Sequence, residues 1–180
     1  MTEHATLKHH TDLSEVREDL IKVYASVRAD LLHLPNYKVE AFTERLGRHG
    51  DDSGWEVVMA HAPDGEPIGY AYANTVEPGN RWWTRMDAPA PAEYTSSPSL
   101  AIKEIGVIKP WRGQGLAQAI HDELLRSRDE GYVSLLVNPA AGDGKVKRLY
   151  EGWGYSAIGS QQPSPDSPPL VCLGRRVAQQ

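Results

Sequence analysis

Apolar residues recur along this chain first with a helical and then with a strand-like period, and each switch predicts an element. Leu13, Val16, Leu20, Val23, Val27 and Leu31 fall at helical intervals behind Asp12 and Glu15, which stand at the spacing of a capping box. A long amphipathic helix is therefore predicted there, after a short strand near Ala5 to His9. His33-Leu34-Pro35-Asn36 interrupts the period, and Val39 to Leu46 predicts a second helix before Gly47 and the polar loop Gly50 to Gly54. The runs Trp55 to Ala60 and Ile68 to Ala73 flank Pro63-Asp64-Gly65-Glu66, a turn sequence, and read as a β-hairpin. Ala101 to Ile108 predicts the next strand, Gly113 to Arg128 a helix, Tyr132 to Val137 a strand and Gly144 to Glu151 a further helix. The apolar run Leu170 to Leu173 closes the chain. Front helices, a hairpin and then alternating strands and helices describe a mixed α/β layer fold, α+β in its mixed sheet.

Between Glu77 and Pro98 the pattern lapses. Pro78, Pro89, Pro91 and Pro98 punctuate an excursion that carries the adjacent Trp82 and Trp83 and has little periodicity. At 180 residues the chain has the length of one domain, 1–180, with the 77–98 segment as an inserted loop and no internal repeat. A net charge of -5 argues against a surface built to hold nucleic acid, and no run approaches the ~18 apolar residues of a membrane span. The start Met1-Thr2-Glu3-His4 lacks the basic and apolar regions of a secretory signal, and the single Cys172 forms no internal disulfide, so a cytoplasmic location is expected. His9-His10 abuts a helix start, and the histidines show no ligand spacing; no metal is expected, and surface histidines are.

The chemistry concentrates in Glu104-Ile105-Gly106-Val107-Ile108-Lys109-Pro110-Trp111-Arg112-Gly113-Gln114-Gly115-Leu116-Ala117-Gln118-Ala119-Ile120. A strand enters a glycine turn, and the turn opens a helix whose Leu116, Ile120, Leu124 and Leu125 face a core. Such a turn gathers unpaired N–H groups and the positive end of a helix dipole at one point, suited to a pyrophosphate. Taken alone, glycine spacing fits a purely structural turn equally well.

Arg112-x-x-Gly115-x-Ala117, preceded by Val107 at a strand end, resembles the acyl-CoA-binding signature of the GNAT superfamily of N-acetyltransferases. A second block, Ser134 to Asn138 and then Arg148-Leu149-Tyr150-Glu151-Gly152-Trp153-Gly154-Tyr155, is similar to that family's strand, its helix ending in Leu-Tyr, and its Gly-aromatic pair opening the next strand. Together the blocks span about Leu100 to Ser156. The chain departs from the family pattern in carrying Asp143 and Val146 where an Asn and an Ala are usual, and the loop after Asn138 is slightly long. Asp143 reads as a helix cap.

The resemblance implies a mostly antiparallel sheet splayed at a cofactor cleft, with helices on both faces. It implies acetyl-CoA as co-substrate and a small-molecule or peptide amine as acceptor. The backbone of Ile105, Gly106 and Val107 would pair with the pantetheine arm, Arg112, Gly113, Gln114, Gly115, Leu116, Ala117 and Gln118 would hold the pyrophosphate, and Asn138 would add a cofactor contact. Tyr150 resembles the tyrosine that donates to the departing sulfur, against a reading as a packing residue. Glu104 interrupts the apolar row of Leu100 and Ile102 and is the candidate base, against a reading as a carboxylate paired with Lys103 or Arg112 or facing solvent. A dinucleotide site of the Rossmann kind is disfavoured, because the next strand ends on Asn138 where an acid is wanted. A non-catalytic acyl-CoA-binding module is the alternative to an enzyme. The acceptor's identity and the oligomeric state, a homodimer included, stay open, as does whether the loop at 77–98 is a lid over the acceptor or a segment pinned by its tryptophans.

Overall fold

A computed structural model describes residues 4–178; Met1 to Glu3, on which the reading of the amino-terminal start partly rests, lie outside them. The elements are β1 (Thr6–His10), α1 (Arg17–Val27), α2 (Val39–Gly50), β2 (Glu56–His61), β3 (Pro67–Val76), α3 (Arg81–Thr84), α4 (Ala92–Thr95), β4 (Ser99–Val107), α5 (Leu116–Arg126), β5 (Tyr132–Val137), α6 (Lys145–Gly152), β6 (Ser156–Gln161) and β7 (Leu170–Arg176). The strands form a mixed, mostly antiparallel sheet in the order β1-β2-β3-β4-β5-β7-β6. No helix among the described residues is long and apolar enough to cross a membrane. The chain divides into two compact units, one of residues to Asn74 with Glu104–Ser127, the other of Thr75–Lys103 with the residues from Arg128 onward.

In the first unit β1, β2 and β3 are joined by antiparallel ladders, with Thr6 opposite His61 and Glu56 opposite Ala73. β2 and β3 are buried along almost their whole length, because helices cover both faces. Leu20, Tyr24, Phe42 and Leu46 of α1 and α2 close over Val57, Met59, Tyr70 and Tyr72, and the rings of Tyr24 and Phe42 stack 3.8 Å apart. Alternation along β3 turns Gly69 to the opposite face, where α5 lies. A β-carbon at Gly69 would stand 3.0 Å from Ile120 Cδ1 and 3.1 Å from the Gly106 carbonyl oxygen, so glycine there permits the close approach of α5 and β4.

Two sequence expectations change here. Asp12 accepts from the Ser14 N–H at 2.9 Å and caps a 3-10 turn over Leu13–Glu15, so α1 begins only at Arg17, and Glu15 pairs with His10 at 3.6 Å. The predicted break at Gly47 does not occur: α2 runs on to Gly50. Burial of Phe42 and Leu46 outweighs the ~1 kcal/mol that a helical glycine costs. At Gly50 the missing side chain is a requirement, since a β-carbon there would lie 2.6 Å from Leu13 Cδ2.

His9 lies at the surface as expected, but between two carboxylates that tie β1 to β2 and to α5. Its Nδ1 lies 2.7 Å from Glu56 Oε2 and its Nε2 2.9 Å from Glu123 Oε1. Burial lowers the ring's pKa, but the hydrogen bonds to Glu123 and Glu56 outweigh it and the net shift is upward.

The second unit holds the start of β4 in parallel register with β5, Leu100 opposite Val133, and the antiparallel ladders β5 with β7 and β7 with β6. The excursion after Glu77 is ordered by α3 and α4, which the sequence pattern did not predict. Trp83, Met86 and Tyr94 form a cluster with Val76, Ala101 and Cys172. The Trp82 indole N–H donates to Ser134 Oγ at 2.9 Å, and Lys103 Nζ lies 4.4 Å from the centre of its ring. Both tryptophans thus anchor the segment. Tyr94 packs against Gly174 of β7, where a β-carbon would stand 2.5 Å from the phenol oxygen and 2.6 Å from Cζ. Burial pushes the Tyr94 phenol up to about 12.

Gly174→Ala should lower stability by about 1–3 kcal/mol through overpacking against Tyr94. In a Tyr94→Ala background the same change should cost less than half as much; equal costs in urea melts of the two backgrounds would remove the proposed clash.

His9→Gln should destabilise the protein more at about pH 5.5 than at about pH 8.5. The folded ring holds its proton above the ordinary value of 6.5, so its contribution is complete below that value and is lost as pH rises through the folded pKa. Thermal melts of wild type and variant at the two pH values check the sign.

Candidate active site

β4 leads through a 3-10 turn, Lys109–Trp111, into Arg112 to Gly115 and then α5. α5 starts at Leu116, later than predicted, because Gly113 and Gly115 form the turn with φ of 78° and 80°. Both values lie in the left-handed region that favours glycine, and nothing stands within 4 Å of a β-carbon placed at either. The N–H of Ala119 donates to the Gly115 carbonyl at 3.0 Å. The N–H groups of Leu116, Ala117 and Gln118 precede that bond and have no carbonyl within the helix, so they point out of its amino end with the positive pole of the dipole. Ile120, Leu124 and Leu125 bury the far face of α5 and hold that end in place, while Gly113, Gln114 and Gly115 are exposed.

The Arg112 guanidinium braces the turn. Its Nε donates to the Val107 carbonyl at 2.9 Å and its Nη2 to the Val27 carbonyl at 3.1 Å. The sequence expectation gave this side chain to a bound pyrophosphate; in the structure it joins the end of β4 to the end of α1. The N–H of Ile108 donates to Ile68 of β3 at 3.0 Å. Strand alternation then directs the backbone groups of Gly106 toward β3 and those of Ile105 and Val107 away from it. The ladder of β4 with β5 covers Leu100 to Ile102 only.

Glu104 shares its face of β4 with Gly106, against the core under α1 and α2. It accepts from the Tyr70 hydroxyl at 3.4 Å rather than pairing with Lys103 or Arg112. Burial, with the Glu104 charge adding to it, raises the Tyr70 pKa well above the ordinary range, so this phenol remains a donor. Burial lowers and Glu104 raises the pKa of Arg28, whose net shift is upward. Tyr70 and Arg28 were not singled out in the sequence. The only trace of Tyr70 is its place with Tyr72 on one parity row of an apolar strand, and a lone arginine at a helix end carries no signal.

Asn138 and Tyr150 belong to the second unit. Asn138 Oδ1 accepts from the Ala140 N–H at 2.9 Å and turns the chain after β5. Asp143 is not the predicted cap: it lies at φ 56°, between Gly142 and Gly144, and Gly144 is the N-cap of α6 without a side-chain bond. Three successive left-handed residues wind this longer loop into the helix, and an extended capping carboxylate has no place in it. The Tyr150 ring is buried, edge-on to Trp153 at 5.2 Å and to Tyr155 at 5.9 Å.

Residues 18–155 match the model of the acetyltransferase (GNAT) family. No curated protein matches the chain in sequence. Among solved structures, an acetyltransferase from Thermus thermophilus is similar with a TM-score of 0.63 at 16% identity, covering 98% of this chain and 99% of that one. Ard1 from Thermoplasma volcanium gives 0.61 at 18%, covering 97% and 99%. Arabidopsis thaliana NAA60, in complex with acetyl-CoA, gives 0.61 at 17%, covering 95% and 98%. At such identities the likeness is one of fold.

Proposed function

The chain belongs to the acetyltransferase (GNAT) family, and from that premise we propose that it is an acyl-CoA-dependent N-acyltransferase, moving acetyl from acetyl-CoA to a primary amine by direct attack on the thioester. The observation that carries this reading is the exposed turn at the amino end of α5, with Gly113 and Gly115 at positive φ and open space at both β-carbon positions. Its residues fit a pyrophosphate: the N–H groups of Leu116, Ala117 and Gln118 converge on it, and Gly113, Gln114 and Gly115 let the backbone come close. Arg112 supports the site mainly as the brace that sets the turn. Asn138 is proposed as a further contact to the cofactor.

Acetyl-CoA supplies a thioester carbonyl open to attack by an uncharged amine. The outward N–H groups of Ile105 and Val107 and the Ile105 carbonyl are the partners this chain offers to the pantetheine arm, and in this reading one of those N–H groups would donate to the thioester oxygen. An alkyl amine with pKa near ~10.4 is mostly protonated at neutral pH, so a proton must leave before attack. Glu104 is the base in this proposal, and the hydrogen bond from Tyr70 orients its carboxylate. Tyr150 donates to the departing sulfur, with Trp153 and Tyr155 fixing its ring. A thiol near pKa ~8.5 is already a fair leaving group, so this donation contributes modestly.

Thiol release from acetyl-CoA across a panel of small amines and peptides should show turnover in the wild type. Gly115→Val should lose both turnover and acetyl-CoA affinity by calorimetry, through strain at positive φ and a branched side chain in the anion site. Tight binding without turnover on any amine would leave an acyl-CoA-binding module; undiminished affinity in folded Gly115→Val would remove the cofactor from this turn.

Tyr150→Phe should lower kcat by about ten- to a hundredfold, a loss of ~1.4–3 kcal/mol of transition-state stabilisation, with acetyl-CoA affinity near that of the wild type. An unchanged kcat would make Tyr150 a packing residue.

A further inference from the structure

Arg28 follows α1 directly, and its place is set by the strand that carries Glu104. Val27 packs on β4 so closely that a β-carbon at Gly106 would stand 2.8 Å from Val27 Cγ1, and Arg112 holds the Val27 carbonyl from the same strand end. The Arg28 backbone N–H is used in closing α1, bonding the Ser26 and Tyr24 carbonyls. Its side chain is partly buried, with Cζ 5.9 Å from the centre of the Tyr37 ring. Tyr37 is itself held by the Tyr24 hydroxyl, which donates to its carbonyl at 2.9 Å. Arg28 Nε is wholly buried and has no hydrogen-bond partner among the described residues.

A buried guanidinium N–H without an acceptor is costly, and the guanidinium fork matches a carboxylate. Glu104 lies within electrostatic reach of this cation. Yet no ion pair within 4.0 Å joins the two among the described residues. Opposite charges held apart but within each other's field, with the Tyr37 ring beside the cation, are complementary to a ligand carrying the reversed pair of charges. An α-amino acid is the smallest such molecule that also carries a primary amine. A plain alkylamine would leave Arg28 without an acceptor, and a peptide amino terminus would offer it only a neutral carbonyl.

Resting on the N-acyltransferase reading, we propose that Arg28 is the specificity-determining residue of the acceptor site and that the acceptor class is the zwitterionic α-amino acids, with the carboxylate on Arg28 and the amine at Glu104. The carboxylate bonds to Arg28 and places the α-ammonium beside Glu104. The ammonium loses one proton to Glu104, and the free amine forms the new C–N bond as the C–S bond breaks. The sulfur takes a proton from Tyr150, and the nitrogen's second proton restores the phenol, leaving an N-acyl amino acid, the CoA thiol and a protonated Glu104 that returns its proton to solvent.

The test compares L-amino acids with their own carboxamides as acceptors for the wild type, Arg28→Gln and Arg28→Lys, by thiol release. The wild type should favour its best amino acid over the matching carboxamide by about tenfold or more in kcat/KM, as charge-assisted pairing predicts. Arg28→Gln should bring that ratio to within about threefold of unity, chiefly through KM, and Arg28→Lys should fall between. Carboxamides or peptide amino termini used as well as amino acids by the wild type would overturn the proposal while leaving N-acyl transfer intact. So would an unchanged ratio in Arg28→Gln. If nothing is acylated, calorimetry of the same amino acids and carboxamides on the wild type decides: selective amino acid binding that Arg28→Gln abolishes supports the site while the transfer reading fails, and no selective binding overturns the site. Thermal melts establish that the variants are folded, and should Arg28→Gln not fold, the wild-type comparison with its carboxamide arm still decides.

Discussion

A strand bonded along one edge must satisfy the groups of its other edge, and β4 meets this demand in pieces. Leu100 to Ile102 pair with β5, the Val107 carbonyl takes the Arg112 Nε, and the intervening groups of Ile105 face away from β3. The Arg112 bond also fixes where the glycine turn begins, because the same guanidinium holds the end of α1 through Val27. The position of the amino end of α5 and the position of Arg28 therefore follow from one side chain. Two carbonyls at strand and helix ends need donors, and a forked cation satisfies both.

Close approach elsewhere depends on two glycines that have no turn to make. Gly69 and Gly106 sit in strands, where glycine weakens packing, yet a side chain at either would strike α5, β4 or α1. Their absence of side chains lets β3 and β4 lie between helices, with Tyr70 filling the space left over Gly106. The same layer then holds Glu104 under a tyrosine hydroxyl and within the field of the partly buried Arg28. A carboxylate and a guanidinium in such a layer are expensive to keep, and that cost is the ground on which a charged acceptor is proposed.

The segment after Glu77 illustrates how a region without periodicity becomes ordered. Its turns are too short to form helices alone, and what fixes them is burial of Trp83, Met86 and Tyr94 against residues far away in sequence. The bare glycine face at Gly174 receives the Tyr94 ring, and the Trp82 indole finds its acceptor on Ser134 of β5.

The sequence by itself determined the layer fold, the order of its main helices and strands outside the segment after Glu77, and the glycine turn, because hydrophobic period and left-handed glycine preference act over a few residues and leave their mark locally. Leu116, Ile120, Leu124 and Leu125 announce α5, and Gly113 and Gly115 announce the turn before it. Tertiary structure alone decided which donor Glu104 would meet, that Arg112 would bind two carbonyls, that α2 would pass through Gly47, and that Arg28 would end with a buried Nε near a carboxylate. These outcomes depend on pairings between residues tens of positions apart, where the energy of contact and the loss of solvent outweigh local preference, and no short window of sequence records them.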